Sequence, residues 1–351
     1  MIDTPEALSA CLPALRAAPW VAIDTEADSL HSYPEKLCLV QLSAPGNDWL
    51  VDPLAGLDLA PLYAALGGHE LILHGGDYDL RLLSRHAGFI PTSVFDTMMA
   101  ARLIGCTQFG LGNLVEQFLG LKLEKGPQKA DWSRRPLTER MADYARNDTR
   151  HLKPLADALR AQLAAKGRLA WHQEYCVRLI ADNTRAETPD PDRVWRVKGS
   201  NKLSPHALAV LREIWKWRET EAIGGNRPPF FILQPERMTK IAALAVAEGD
   251  WESEIPPRYS PRRRHTLKEA VLSGLRQPRA AWPSRLRGDS RRPTESEIRR
   301  ADALQRVRDR HAVELGIDPT IIASKSTLFA LARDWDANAP ALMNWQRALF
   351  Q

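Results

Sequence analysis

Every short apolar run that reads as a β-strand lies between Trp20 and His74, and the rest of the chain is patterned as helix. The runs are WVAI (20–23), LCLVQLS (37–43), WLV (49–51) and LILH (71–74), each bounded by turn residues and too short for a buried helix. Thr4-Pro5 ahead of EALSACL marks an N-cap and first helical position, and a helix over 59–66 stops at Gly67-Gly68. From Asp79 onward DLRLLSRHAG, FDTMMAARLIG, LGNLVEQFLG and a long run over 138–166 all read as helical. Strands followed by a helical cluster predict an α/β domain over residues 1–168. Residues 169–202 read as a helical connector ending in the polar stretch ETPDPDRVW, and two all-helical blocks follow, at 203–285 and 294–351. The two blocks repeat weakly: Trp217-Arg218 aligns with Val307-Arg308, Pro228 with Pro319, and Ile241-Ala242 with Leu331-Ala332.

Charge is as uneven as the strand content. Residues 1–168 hold 17 Lys+Arg against 20 Asp+Glu, whereas 257–293 hold 11 against 2, a local net charge of +9 inside a chain whose total is +5. Such a segment is either a polyanion contact or a solvated, proline-punctuated linker. The four cysteines (Cys11, Cys38, Cys106, Cys176) are widely spaced without a C-x-x-C, which argues against zinc and against a disulfide framework. No run approaches the ~20 apolar residues of a membrane span, and MIDTPEALSACL lacks the basic start of a signal peptide. A cytoplasmic protein with no membrane partner is expected. No G-x-x-x-x-G-K-[ST], H-E-x-x-H or G-x-S-x-G occurs, and GLGNL near residue 110 lacks the strand and glycines of a dinucleotide site.

Acidic residues carry the chemistry. In Ile23-Asp24-Thr25-Glu26 a strand ends in Asp-x-Glu, and the two-residue repeat of a strand puts both carboxylates on one side. Carboxylates that close repel unless a cation lies between them, and oxygen ligands suit Mg²⁺ or Mn²⁺. LILHGGDYDL then runs a strand through Gly75-Gly76 into a helix bearing Asp77 and Asp79. Positions two apart on a helix diverge, so at most one of these reaches the same site. His74 before the glycines reads as structural. Tyr144 and Asp148, at i and i+4, share one helix face, where a phenol beside a metal-bound carboxylate could orient water. By themselves they read more simply as a core tyrosine and a capping aspartate.

Asp24, Glu26, Asp79, Tyr144 and Asp148 occur in the order and spacing of the tyrosine subclass of the DEDD exonuclease superfamily, which the chain therefore resembles. YPEKLCLVQLS and ADWSRRPLTERMADYA, with Asp131-Trp132, Arg135-Pro136-Leu137 and Tyr144-Ala145, are similar to bacterial ribonuclease D, and WKWRETEAIGGNRPPFFILQPERMTKIA is similar to an HRDC domain. The block at 294–351 resembles a second, divergent HRDC domain. After Glu26 the chain carries Ala27-Asp28-Ser29-Leu30 where the family often has an aromatic and an arginine. The resemblance implies a ribonuclease H-like α/β exonuclease domain, a mixed sheet flanked by helices, followed by HRDC-like helical domains. It also implies a monomeric 3′–5′ exoribonuclease acting on RNA with a free 3′ end, in tRNA maturation, and releasing nucleoside 5′-monophosphates. Asp24, Glu26, Asp79 and Asp148 would hold two divalent ions, with Asp24 shared, Glu26 and Asp148 completing one site and Asp79 reaching the other through water. Tyr144 would position the attacking water. A nucleic-acid-binding protein with an inactive exonuclease core and a DNA exonuclease are the alternatives.

Overall fold

The computed structural model describes residues 1–124, 126–185, 190–286 and 292–351. Parts of the polar stretch (187–189) and of the basic segment (287–291) lie outside the described residues. No described helix is long and apolar enough to cross a membrane.

The chain forms two compact units. The first comprises Met1–Ala27, Leu37–Ala186 and Arg292–Gln351, and the second Asp28–Lys36 and Glu187–Arg291. In the first unit five strands make one sheet: β1 (Val21–Ala27), β2 (Leu37–Ala44), β3 (Asn47–Val51), β4 (Glu70–Leu73) and β5 (Ser93–Asp96), in the order β3-β2-β1-β4-β5. β1 pairs antiparallel with β2 and parallel with β4, so the sheet is mixed and β1 is its central strand. Eight helices accompany it: α1 (Pro5–Ala17), α2 (Ala60–Leu66), α3 (Asp77–Ala87), α4 (Thr97–Ile104), α5 (Leu111–Leu119), α6 (Glu139–Arg150), α7 (Leu152–Ala165) and α8 (Leu169–Thr184). Thr4 caps α1 as expected, its hydroxyl accepting from the Ala7 amide at 3.2 Å.

Alternation along β1 divides the interior. Val21 and Ile23 pack with Leu12, Leu15, Leu62 and Leu83, whereas Ala22 faces a second cluster with Phe95, Leu103, Leu155 and Leu159. Asp24 and Glu26 continue the Ala22 side.

Three local readings need correction. β5 overlaps the first two residues of FDTMMAARLIG, which the sequence reads as helical; it is only four residues long and ends where the Asp96 side chain caps α4. The run over 138–166 is two helices divided at His151. Pro154 cannot donate to the Arg150 carbonyl and its ring crowds it, which favours a break one turn earlier. Finally, α8 is no free connector: it packs on α3 and β5, burying His172, Cys176 and Leu179.

The C-terminal block adds α13 (Glu295–Leu315), α14 (Pro319–Ile322), α15 (Lys325–Arg333), α16 (Trp335–Asn338) and α17 (Asn344–Ala348). It belongs to the first unit. Ile317, Ile321, Ile322 and Trp345 join the cluster of Leu155 and Leu159, Trp171 stacks on Trp345 at 4.5 Å, and Arg168 donates to the Leu103 and Leu315 carbonyls at 2.6 Å each.

The second unit is built on α9 (Pro205–Gly224), α10 (Pro229–Ile232), α11 (Pro235–Val246) and α12 (Pro261–Leu275). Its core joins Leu208, Leu211 and Ile214 to Met238, Ile241, Leu267 and Val271. A Cβ on Gly274 would meet the Val210 Cα at 2.5 Å, so only glycine lets α12 lie this close to α9. Tyr33 packs on the same core, and its hydroxyl bonds Glu219. The basic segment is therefore not a bare linker, since 261–275 is a packed helix. The weak sequence repeat has a physical counterpart: both blocks run long helix, four-residue helix, helix. Arg218 and Arg308 are each buried against the carboxylate of the next residue, Glu219 and Asp309.

Candidate active site

β1 presents Asp24 and Glu26 on one face of the sheet, and α6 brings Asp148 to them. Oxygen atoms of the Asp24, Glu26 and Asp148 carboxylates all lie within 4.8 Å of one another. The docking of α6 is specified by side chains: the Thr149 and Ser43 hydroxyls are 2.8 Å apart, Ser43 donates to Asp48 at 2.6 Å, and Arg150 donates to Asp48 at 2.7 Å. Tyr144, one turn before Asp148, lies near enough to that carboxylate for each to shift the other's titration.

Asp79 stands beside the three, not among them. Its buried carboxylate accepts a hydrogen bond from the Thr25 hydroxyl and still acts electrostatically on Asp24 and Asp148. Asp77 points away and pairs with Arg81 at 2.9 Å, which is the divergence expected of residues two apart on α3. The turn that starts α3 is held by Asp96, whose carboxylate accepts from the Gly76 amide at 3.0 Å. His74 lies 2.9 Å from the Thr97 hydroxyl, and burial pushes its pKa down to about 4, which suits a neutral structural ring.

Crowding marks the site electrostatically. Burial, then Asp79, Asp148 and Glu26, hold the Asp24 carboxyl well above the usual carboxylate range. Burial and then the Asp148 and Asp79 charges push Glu26 up to about 9. Burial raises Asp148 to about 7 against the opposing effect of Tyr144, and raises Asp79 to about 6 against the hydrogen bond from Thr25. Four carboxyls so placed cannot all be ionised in a protein interior without positive charge among them. An all-oxygen donor set fits a hard divalent cation, with Asp24, Glu26 and Asp148 able to hold it.

Residues the motifs did not point to complete the site. Gln41 is fully buried opposite Asp24 in the β1–β2 register and donates to its carboxylate at 3.3 Å. A lone amide inside the apolar run LCLVQLSA was the available signal. Gln128 acts on the Tyr144 hydroxyl, lowering its pKa against the effect of burial, with nothing in its surroundings in sequence to announce it. A Cβ on Gly126 would fall 1.6 Å from the Tyr144 ring, so glycine is required for the ring to lie there. Trp132 is buried with its ring centroid 6.2 Å from that of Tyr144, a core residue as expected. Arg135 is wholly engaged, bidentate to Asp52 and donating to the Cys38 and Trp132 carbonyls. It fastens the segment before α6 to β2.

Two of the three consecutive arginines of the basic segment are paired with a carboxylate. Arg262 and Arg263 pair with the buried Glu221 at 3.1 and 2.8 Å, and Arg264 donates to the Pro257 carbonyl at 2.8 Å.

Residues 1–164 match a family described as 3′–5′ exonuclease. The chain is 32% identical to a ribonuclease D of Gluconacetobacter diazotrophicus, with 100% of this chain and 90% of the relative covered. Among solved structures, a protein from Bifidobacterium adolescentis superposes with a TM-score of 0.86 at 25% identity, covering 100% of this chain and 94% of the other. Escherichia coli RNase D, described as an exoribonuclease involved in structured RNA processing, superposes with a TM-score of 0.77 at 26% identity, covering 96% and 91%.

Proposed function

The chain belongs to the ribonuclease D family of 3′–5′ exoribonucleases, and from that premise we propose that Asp24, Glu26, Asp79, Tyr144 and Asp148 are its catalytic residues. The observation that carries the reading is the cluster of Asp24, Glu26 and Asp148, with Tyr144 one helical turn from Asp148 and in electrostatic reach of it. Two divalent ions, Mg²⁺ or Mn²⁺, would be held there, with Asp24 shared, Glu26 and Asp148 completing one site and Asp79 reaching the other through water. Bound ions supply positive charge to the phosphate oxygens and acidify the attacking water.

The protein's own groups do the rest. Tyr144 orients the attacking water by its hydroxyl, which burial and Asp148 keep protonated at any physiological pH. Water adds to the terminal phosphorus, the bond to the 3′-oxygen of the preceding nucleotide breaks, and that oxygen takes up a proton. A nucleoside 5′-monophosphate leaves, and a new 3′-hydroxyl end remains. Gln41 fixes the rotamer of Asp24, and Thr25 that of Asp79. The substrate is RNA with a free 3′ end, with tRNA precursors as the natural class, an assignment supported by the structured-RNA role stated for the E. coli protein. The helical blocks at 203–285 and 294–351 are HRDC-like, supported by their shared helix order. Four free cysteines are in keeping with a reducing cytoplasm as the place of work, and the chain is taken to act as a monomer.

The test is incubation of purified protein with 5′-labelled RNA and DNA strands in Mg²⁺, Mn²⁺ or EDTA. Stepwise shortening of RNA from its 3′ end, with metal only, is the expected result. Cleavage in EDTA, or of DNA alone, would overturn the reading.

A further inference from the structure

We propose that Phe230 and Phe231, with Arg237 and Arg258, form a stacking surface for single-stranded RNA on the second unit; the inference rests on the RNA substrate proposed above. Two adjacent phenyl rings are 38% and 52% exposed, with centroids 4.5 Å apart and planes tilted by 39°. They are not frayed. The segment Pro228-Pro229-Phe230-Phe231-Ile232-Leu233 has its prolines at one end and the buried Ile232 and Leu233 at the other. Its carbonyls are taken up by side chains: Gln234 donates to Phe230 at 2.8 Å, Arg258 to Phe231 at 3.3 Å, and the Tyr259 hydroxyl to Ile232. Rings held outward on a fixed backbone lose little entropy when something stacks on them.

Beside the rings lies a hollow of about 180 Å³ lined by Phe230, Leu233, Gln234, Arg237, Pro256 and Arg258. Both arginines are exposed, and neither forms an ion pair among the described residues; Arg237 bonds only the Glu254 carbonyl at 3.3 Å. This contrasts with Arg262 and Arg263, which share the Glu221 carboxylate. Exposed π-faces beside uncompensated guanidiniums match a ligand that alternates flat bases with negative phosphates, which is a single strand. A duplex hides its base faces, so it can use the charge but not the rings.

The experiment is fluorescence anisotropy of a fluorescein-labelled oligouridine with the full chain in EDTA, which prevents turnover. Phe231→Leu keeps apolar bulk but removes the π-face, and is expected to weaken binding by at least about fivefold. Phe231→Trp should bind as tightly as the parent or more so. Replacing Arg237 and Arg258 by Gln should flatten the log K against log salt slope by about 1.4, roughly 0.7 for each phosphate that is no longer neutralised. Equal binding by the Leu and Trp variants would overturn the proposal and leave the face to a protein partner. So would an unchanged salt slope, or parent protein that binds a blunt RNA duplex as tightly as the single strand. If the parent hydrolyses RNA with metal yet Phe231→Leu binds normally, the surface is wrong and the nuclease reading stands. Loss of binding in Phe231→Leu, by a parent that fails to hydrolyse RNA, supports the surface and overturns the nuclease reading.

Discussion

Replacing Glu26 by Gln should stabilise the metal-free protein while removing its activity. In the folded chain burial and the Asp148 and Asp79 charges raise the Glu26 carboxyl to about 9, against an ordinary value of 4.5. A carboxyl whose folded pKa is raised holds its proton longer in the folded than in the unfolded state. Its contribution to stability therefore falls as pH rises from about 4.5 to about 9. At about 1.4 kcal/mol per pH unit, the loss accumulated by pH 7 is about 3 kcal/mol, reduced to about 2 because water reaches part of the side chain. Gln is nearly isosteric and does not titrate, so the difference between variant and parent should be near zero at pH 4.5 and grow with pH. Urea unfolding in EDTA at several pH values measures it directly. Added Mg²⁺ should reverse the order, stabilising the parent more strongly at pH 8 than at pH 5, since binding must displace those protons. A Gln variant less stable than the parent at pH 8 without metal, or a gap independent of pH, would refute the electrostatic reasoning.

Tyr144→Phe should lower kcat by about 10²-fold or more with little change in KM, as expected for a hydroxyl that acts on the attacking water; a rise in KM alone would make it a binding residue. Gly126→Ala should produce a similar loss by displacing the Tyr144 ring, checked by steady-state kinetics on the same RNA. His74, lowered to about 4 from 6.5, binds its proton more readily when unfolded. Stability should accordingly fall as pH drops from about 6.5 to 4, by up to roughly 3 kcal/mol, and His74→Asn should flatten that limb of the pH profile. Removing 292–351 would strip Ile321, Ile322 and Trp345 from the first unit's core, at about 1.5–3 kcal/mol each; the truncated chain should melt lower and bind hydrophobic dyes.

The parts of the site that could be read from the chain were those set by local periodicity. Asp24 and Glu26 share a face because strands repeat every two residues, Tyr144 and Asp148 because helices repeat near every four, and Asp77 is set apart from Asp79 for the same reason. Long-range pairing was not legible. Nothing near Gln41 says that β2 runs antiparallel to β1 with this amide against Asp24. Nothing near Arg262–Arg263 says that Glu221, on another helix, pairs with them. β5 escaped notice because its four residues are too few to show a period and Asp96 reads equally well as a cap. α8 carries the polar residues of a connector, yet His172 and Cys176 are buried by α3 and β5, neighbours that only the fold supplies.

The central claim, that the Asp24–Glu26–Asp148 cluster is a divalent-metal nuclease centre, is tested most directly by Asp24→Asn, which removes one charge and leaves the side-chain volume. Under single-turnover conditions with saturating Mg²⁺ and 5′-labelled RNA, the parent should shorten the strand from its 3′ end one nucleotide at a time. The variant, folded by circular dichroism, should leave the strand intact. Shortening by Asp24→Asn at near the parental rate would contradict the account.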